Sequence, residues 1–165
     1  MKKLTLLILI PILSFGQIIK EGSRQIHLDF HTSGLIENIG ENFSKEQFKK
    51  ALKIGNVNSI NIFGKGHHGY SYYNTKIGTK HPHLKFDLLK EQIEACHEMG
   101  VTAQVYFTVG WSQKDADDHP EWILKDKNGT TNKLEVLKKL GPNDRLPNFT
   151  WRLLAPSNGY DEFIL

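Results

Sequence analysis

The sequence predicts an α/β fold, specifically the N-terminal portion of a (β/α)8 TIM barrel with about three strands and two to three helices. Two observations predict it. β-rich and amphipathic helical segments alternate in the order strand, helix, strand, helix, strand, the pattern of parallel strands joined by right-handed crossovers. Each strand segment also ends in, or runs into, polar and aromatic residues, at the end where barrels of this kind carry their chemistry.

The elements follow in order. Lys2 and Lys3 precede an apolar run from Leu4 to Leu13, and Ser14-Phe15-Gly16 offers small residues at a cleavage point. This reads as a signal peptide over 1–16, cut before Gln17, so the mature chain is exported to the periplasm or beyond the cell. The run is well short of the roughly 20 residues that span a bilayer. The segment "RQIHLDFHTS" alternates, with Ile26, Leu28 and Phe30 on one face and His27, Asp29 and His31 on the other. In "SKEQFKKALKIGN", Ser44 and Gln47 have capping-box spacing, Phe48 and Leu52 share a face, and Gly55 marks the end. Val57 to Phe63 is the second strand. "FDLLKEQIEACHEMG" is the second helix, with Asp87 placed to cap its start and Gly100 its end. The third strand, "VTAQVYFTVGW", alternates between apolar Val101, Ala103, Val105, Phe107 and Val109 and polar Thr102, Gln104, Tyr106 and Thr108.

Beyond Trp111 no fourth strand is legible. The sequence predicts a long loop there, with a short helix at Lys133 to Leu140 and the start of another near Tyr160 to Leu165. A closed barrel typically needs about 250 residues, so the chain reads as a signal peptide followed, over 17–165, by a partial barrel domain truncated at its C-terminus.

Composition narrows the function classes. The 21 basic and 18 acidic residues form no long like-charged block, which argues against a nucleic-acid-binding surface. Cys96 is the only cysteine, so no intramolecular disulfide can form, and its helical setting makes it a packing residue. Asn42, Asn128 and Asn148 each begin an Asn-x-Ser/Thr acceptor sequence.

The chemistry is concentrated in histidines. His67 and His68 lie between Gly66 and Gly69, directly after the second strand, where glycine lets backbone approach a ligand closely and packing has little use for two imidazoles. His27, by alternation, reads as a hydrogen-bonded interior residue. His81 and His83 flank Pro82 in a turn, and His97 and His119 read as surface residues. A sugar pocket needs donors and acceptors for hydroxyls together with aromatic faces for the apolar side of the ring. Tyr70, Tyr72, Tyr73, Tyr106 and Trp111 are available for the second task, with packing the competing role for some of them. Asp29 is the one carboxylate placed on an interior strand face, suited to orienting a histidine, whereas Asp115, Asp117, Asp118 and Glu121 read as solvated rim residues.

The stretches "HLDFHTS", "KGHHGYSYY", "HPHLKFDLL" and "HPEW", from His27 to Trp122, resemble as a set the hypothetical glycosyl hydrolase group related to α-L-fucosidases, whose members are also described as β-galactosidase-like or amylase-like. The chain departs from the fucosidase motif of a lysine, two histidines and Asp-Gly-Phe: Gly66 separates Lys65 from His67, and Gly69 stands where the aspartate would be. The resemblance implies that His67 and His68, and with them His31, bind sugar hydroxyls, and that Tyr106 and Trp111 line the same subsite. It also implies a nucleophilic aspartate at the end of a fourth strand, so that nucleophile and acid/base lie beyond Leu165. The expected function is the substrate-binding part of a secreted glycoside hydrolase, inactive alone, acting on an oligosaccharide or glycoconjugate, with no cofactor, no metal and no membrane contact after signal cleavage. Two alternatives stay open on the sequence alone: a metal-dependent barrel hydrolase using His27, Asp29, His31 and the later histidines, and a carbohydrate-binding protein without catalysis.

Overall fold

A computed structural model describes residues 22–125, 127–129, 152–155 and 159–164. The expected signal peptide and the helix expected at Lys133 to Leu140 lie outside the described residues. The elements are β1 (Gln25–His27), α1 (Lys45–Ile54), β2 (Ser59–Lys65), β3 (Tyr70–Ser71), β4 (Thr79–Lys80), α2 (Leu88–Glu98), β5 (Thr102–Phe107), α3 (Gln113–Asp118) and α4 (Tyr160–Ile164), with a 3-10 turn at Pro120–Trp122.

β2 is central. It pairs in parallel with β1 on one side and β5 on the other, through Ile26↔Ile60 and Ile60↔Ala103 among other partners. The helices pack on one face of this sheet, where Ile60 and Ile62 meet Leu52 of α1 and Leu89 and Cys96 of α2. Cys96 is fully buried there, and burial pushes its thiol up, as befits a packing residue. The opposite face is polar at its lower end, where the Gln25 side chain donates to that of Gln104 across β2.

Local signals decide the helix ends. The Ser44 hydroxyl accepts from Gln47 N–H at 3.3 Å, and Asp87 accepts from Lys90 N–H at 2.9 Å and from Asn74 N–H at 2.9 Å. Gly100 takes φ +66 as the C-terminal signal requires. At the end of α1 the left-handed residue is Asn56, with φ +50, and Gly55 stays in the right-handed region.

Four features depart from the sequence expectation. β1 is only three residues long, because from Phe30 onward the backbone bonds to a side chain instead of the ladder: the Tyr72 hydroxyl donates to Phe30 O at 2.8 Å and accepts from Thr32 N–H at 3.0 Å. The short strands β3 and β4 form a parallel pair appended to β2 through Lys65↔Ser71. The loop after β5 contains α3, held by side-chain bonds at i, i+4 spacing from Gln113 to Asp117 and from Lys114 to Asp118. The fourth concerns Asp115. It is not solvated but only 3% exposed, paired with a Lys65 that is nearly as buried.

A bulge explains that pair. Phe63 is opposite Tyr106, but Lys65 is opposite Phe107, so Gly64 is an extra residue in β2. One residue of slip reverses the facing of every later position in the strand. Lys65 is thereby turned away from the face of Phe63 and Tyr106, toward Asp115 and to 4.9 Å from the Phe163 ring. Glycine suits the bulge, since a Cβ on Gly64 would collide with the Phe107 ring and force that ring to move.

The pair makes a testable demand. Asp115→Asn leaves Lys65 buried without its counterion and is expected to destabilise the chain by about 3–5 kcal/mol. Replacing both partners, as Lys65→Met with Asp115→Leu, is expected to recover most of that loss. Urea denaturation followed by circular dichroism separates the cases, and equal losses in the single and double variants would contradict the assignment.

Candidate functional site at the strand ends

Three strand ends converge. His31 follows β1, the His67-His68 loop follows β2, and Tyr106, Thr108 and Trp111 lie at or beyond the end of β5. The imidazoles of His31 and His67 stack with centroids 4.0 Å apart and planes 17° apart. Tyr106 supports them from below. Its ring stacks on Phe63 at 4.4 Å and meets His31 edge-on at 5.9 Å and His67 at 6.1 Å. Trp111 stands edge-on to His67 at 5.2 Å.

Hydrogen bonds fix this arrangement. His67 N–H donates to His31 Nδ1 at 2.9 Å, so in the neutral ring the His31 proton is on Nε2, 3.1 Å from Asp29 Oδ1. Asp29 therefore orients a histidine, as its strand position suggested. The loop itself is held by α3: Gln113 N–H donates to His67 O at 3.0 Å and Lys114 N–H to His68 O at 3.2 Å. Gly66 lets the loop pack closely, since a Cβ there would lie 3.1 Å from both His31 Nδ1 and the Tyr72 hydroxyl and would press on both. Gly69, at φ +86, has Ser112 Oγ within 2.5 Å of where a Cβ would stand.

Of the five residues singled out from sequence, the structure gathers His31, His67, Tyr106 and Trp111 into one cluster. His68 belongs to the same loop, half-buried, with its imidazole within electrostatic reach of His67 and His81. Tyr72 is a scaffold residue through its hydroxyl, Tyr70 packs beneath Gly34, and Tyr73 packs against the helix-side core. His81 is buried in its turn, bonded to Ser33 O at 3.0 Å and to His83 N–H at 3.2 Å. His27 departs from expectation: it is exposed, on the same face as the cluster and edge-on to Phe63 at 5.3 Å. His119 is not merely a surface residue, since it stacks on Trp122 at 3.7 Å. Sequence reasoning missed Thr108 as a site residue, although its alternation with Tyr106 on the polar face of the third strand was the available signal.

Among the described residues no group of three or more His, Cys, Asp or Glu side chains is placed to hold a metal ion. The atoms that a metal would need at His31 are engaged with His67 N–H and Asp29.

The profile of the family described as hypothetical glycosyl hydrolase 6 matches residues 44–165. No curated protein matches. Among solved structures, the chain is similar to α-L-fucosidase isoenzyme 2 from Paenibacillus thiaminolyticus, with 40% identity and a TM-score of 0.73 over 86% of this chain and 20% of that one. It thus spans about a fifth of the fucosidase's length. A noncanonic maltogenic α-amylase from Thermotoga neapolitana matches at 18% identity and TM-score 0.50, over 85% of this chain and 34% of that one, a likeness of fold. These neighbours are barrel glycosidases, and the described sheet is a partial barrel of the same kind.

Burial dominates the titration of the site. His31, His67, His68 and His81 all fall below the ordinary value of 6.5, in each case chiefly because desolvation penalises the imidazolium, with His67 a further cause at His31. Above 6.5 these rings are neutral in both folded and unfolded chains. As pH falls below that value the unfolded chain takes up protons first, and stability is lost until the lowered native values are passed. The urea midpoint is therefore expected to be lower at about pH 5 than at about pH 7.5. His81→Gln should shrink that difference, and a midpoint that rises on acidification would contradict this account.

Proposed function

Because this chain belongs to the hypothetical glycosyl hydrolase 6 family, we propose that it supplies part of the sugar-binding mouth of an exported barrel glycoside hydrolase acting on an α-L-fucoside or a related glycan. The observation that carries this reading is the stacked His31–His67 pair, flanked by Trp111 and supported by Tyr106, at the ends of three parallel strands. The fixed imidazoles gather polar groups for hydroxyls, His31 through the Asp29 carboxylate that it holds and His67 through its own ring, and Trp111 offers an apolar face beside them. His68, in the same loop, extends the polar rim. The 40% identity to a fucosidase is the reason for placing fucosides first.

The chain by itself binds without hydrolysing. Retaining glycosidases use two carboxyl groups about 5 Å apart. Here Asp29 is committed to His31 and Asp115 to Lys65. Export rests on the basic and apolar character of residues 2–13, and N-terminal sequencing of the secreted protein is expected to begin at Gln17.

The full chain is expected to bind methyl α-L-fucoside with a change in tryptophan fluorescence and to release no nitrophenol from aryl glycosides. His67→Ala should weaken binding by at least about tenfold. Turnover of an aryl glycoside would overturn the division between binding and catalysis, and binding indifferent to His67 would remove the site. Saturable binding of other glycosides with none of the fucoside would move the substrate away from fucose.

A further inference from the structure

We infer that Thr108 is a positioning residue that sets which nitrogen of His67 carries the proton, placing that proton on Nδ1 and the lone pair on Nε2. Thr108 is buried, and its backbone N–H is tied to Lys65 O at 3.1 Å, which fixes the direction of its side chain. Its hydroxyl makes two bonds: Oγ1 donates to Trp111 O at 2.5 Å and lies 2.8 Å from His67 Nδ1. A threonine hydroxyl has one proton. That proton is committed to Trp111 O, which has none to give in return, so toward His67 the oxygen accepts. Nδ1 of His67 is therefore the protonated nitrogen, and Nε2 carries the lone pair.

An imidazole without such a partner favours the other tautomer, with the proton on Nε2. The neighbouring His31 does so, its Nδ1 being occupied by the His67 N–H. The two stacked rings thus have opposite tautomers, His31 directing N–H toward Asp29 and His67 directing its N–H toward Thr108. The backbone of His67 is tethered as well, with its N–H on His31 and its carbonyl on Gln113 N–H, which fixes the point from which the ring projects toward Thr108.

The consequence concerns ligand class and rests on the sugar-binding reading above. Nε2 as an acceptor favours ligands that donate O–H bonds. Neutral sugars do so, whereas a carboxylate or phosphate placed against that nitrogen would meet a lone pair instead of a donor. In the Nε2–H tautomer the same ring would donate, and that preference would reverse.

The test uses the full chain labelled with 15N. Long-range 1H–15N correlation of the His67 ring at neutral pH is expected to show the Nδ1–H tautomer in the native protein and in Thr108→Ser, and Nε2–H in Thr108→Val. Methyl α-L-fucoside affinity is expected to fall roughly tenfold in Thr108→Val and to be kept in Thr108→Ser. An Nε2–H tautomer in the native protein, or an unchanged tautomer in Thr108→Val, would overturn the assignment. If Thr108→Val does not fold, the native spectrum still decides it. The expected tautomers with no binding of any neutral glycoside would leave Thr108 in its role and remove the sugar-binding reading instead.

Discussion

The bulge at Gly64 is the constraint on which the rest of the site depends. A regular β2 would send Lys65 to the face of Phe63 and Tyr106, placing an ammonium among the histidines. The extra residue turns Lys65 to the other side, where Asp115 receives it. Asp115 is carried by α3, and α3 is the element whose first N–H groups hold His67 O and His68 O. One buried ion pair therefore ties the end of β2 to the loop after β5, and through that loop to both histidine backbones.

The energetic character of this pair differs from that of the surface charges. Lys45 and Lys49 reach across from α1 to Glu94 and Glu98 on α2, but those groups are solvent-screened and hold little stability. Lys65 and Asp115 have left water, so the attraction between them is set against a large desolvation cost and the net gain is small. Geometry is what such a pair contributes: either partner alone is costly, so the loop cannot sit elsewhere without exposing both. Nearby Tyr160, whose phenol is pushed up to about 12 by burial and by the Asp115 charge, bonds to Val109 O and closes the same junction.

Much of this was legible in the sequence because it is local. Ser44, Asp87 and Gly100 act within a few residues of themselves. The cluster of His31, His67, Tyr106 and Trp111 was legible because each lies at a strand end, and parallel strands bring such ends together. The illegible part depends on register between distant segments. Lys65 and Asp115 are 50 residues apart, and no pattern around either residue announces that a bulge will turn one toward the other. The shortening of β1 has the same origin, since Tyr72 lies 42 residues from the carbonyl it occupies. Thr108 was visible as a polar strand residue, but its role depends on a bond to Nδ1 of His67 that no spacing encodes.

The exposed histidine, His27, shows how the sector is organised. Its register partner is Asn61, whose own partner is Gln104, and Gln25, two residues earlier in β1, donates to the Gln104 side chain across β2. Barrel interiors are ordinarily filled by bulky branched residues in layers, and here the branched residues Ile60 and Ile62 lie on the opposite side, against the helices. The polar layers on the inner face lead upward to Phe63 and Tyr106, and then to the stacked imidazoles. The aromatic pair thus separates a hydrogen-bonded base from a hydrogen-bonding mouth. Burial lowers both imidazoles and favours their neutral form, a condition suited to recognising hydroxyls, which carry no charge to repay the desolvation of an imidazolium.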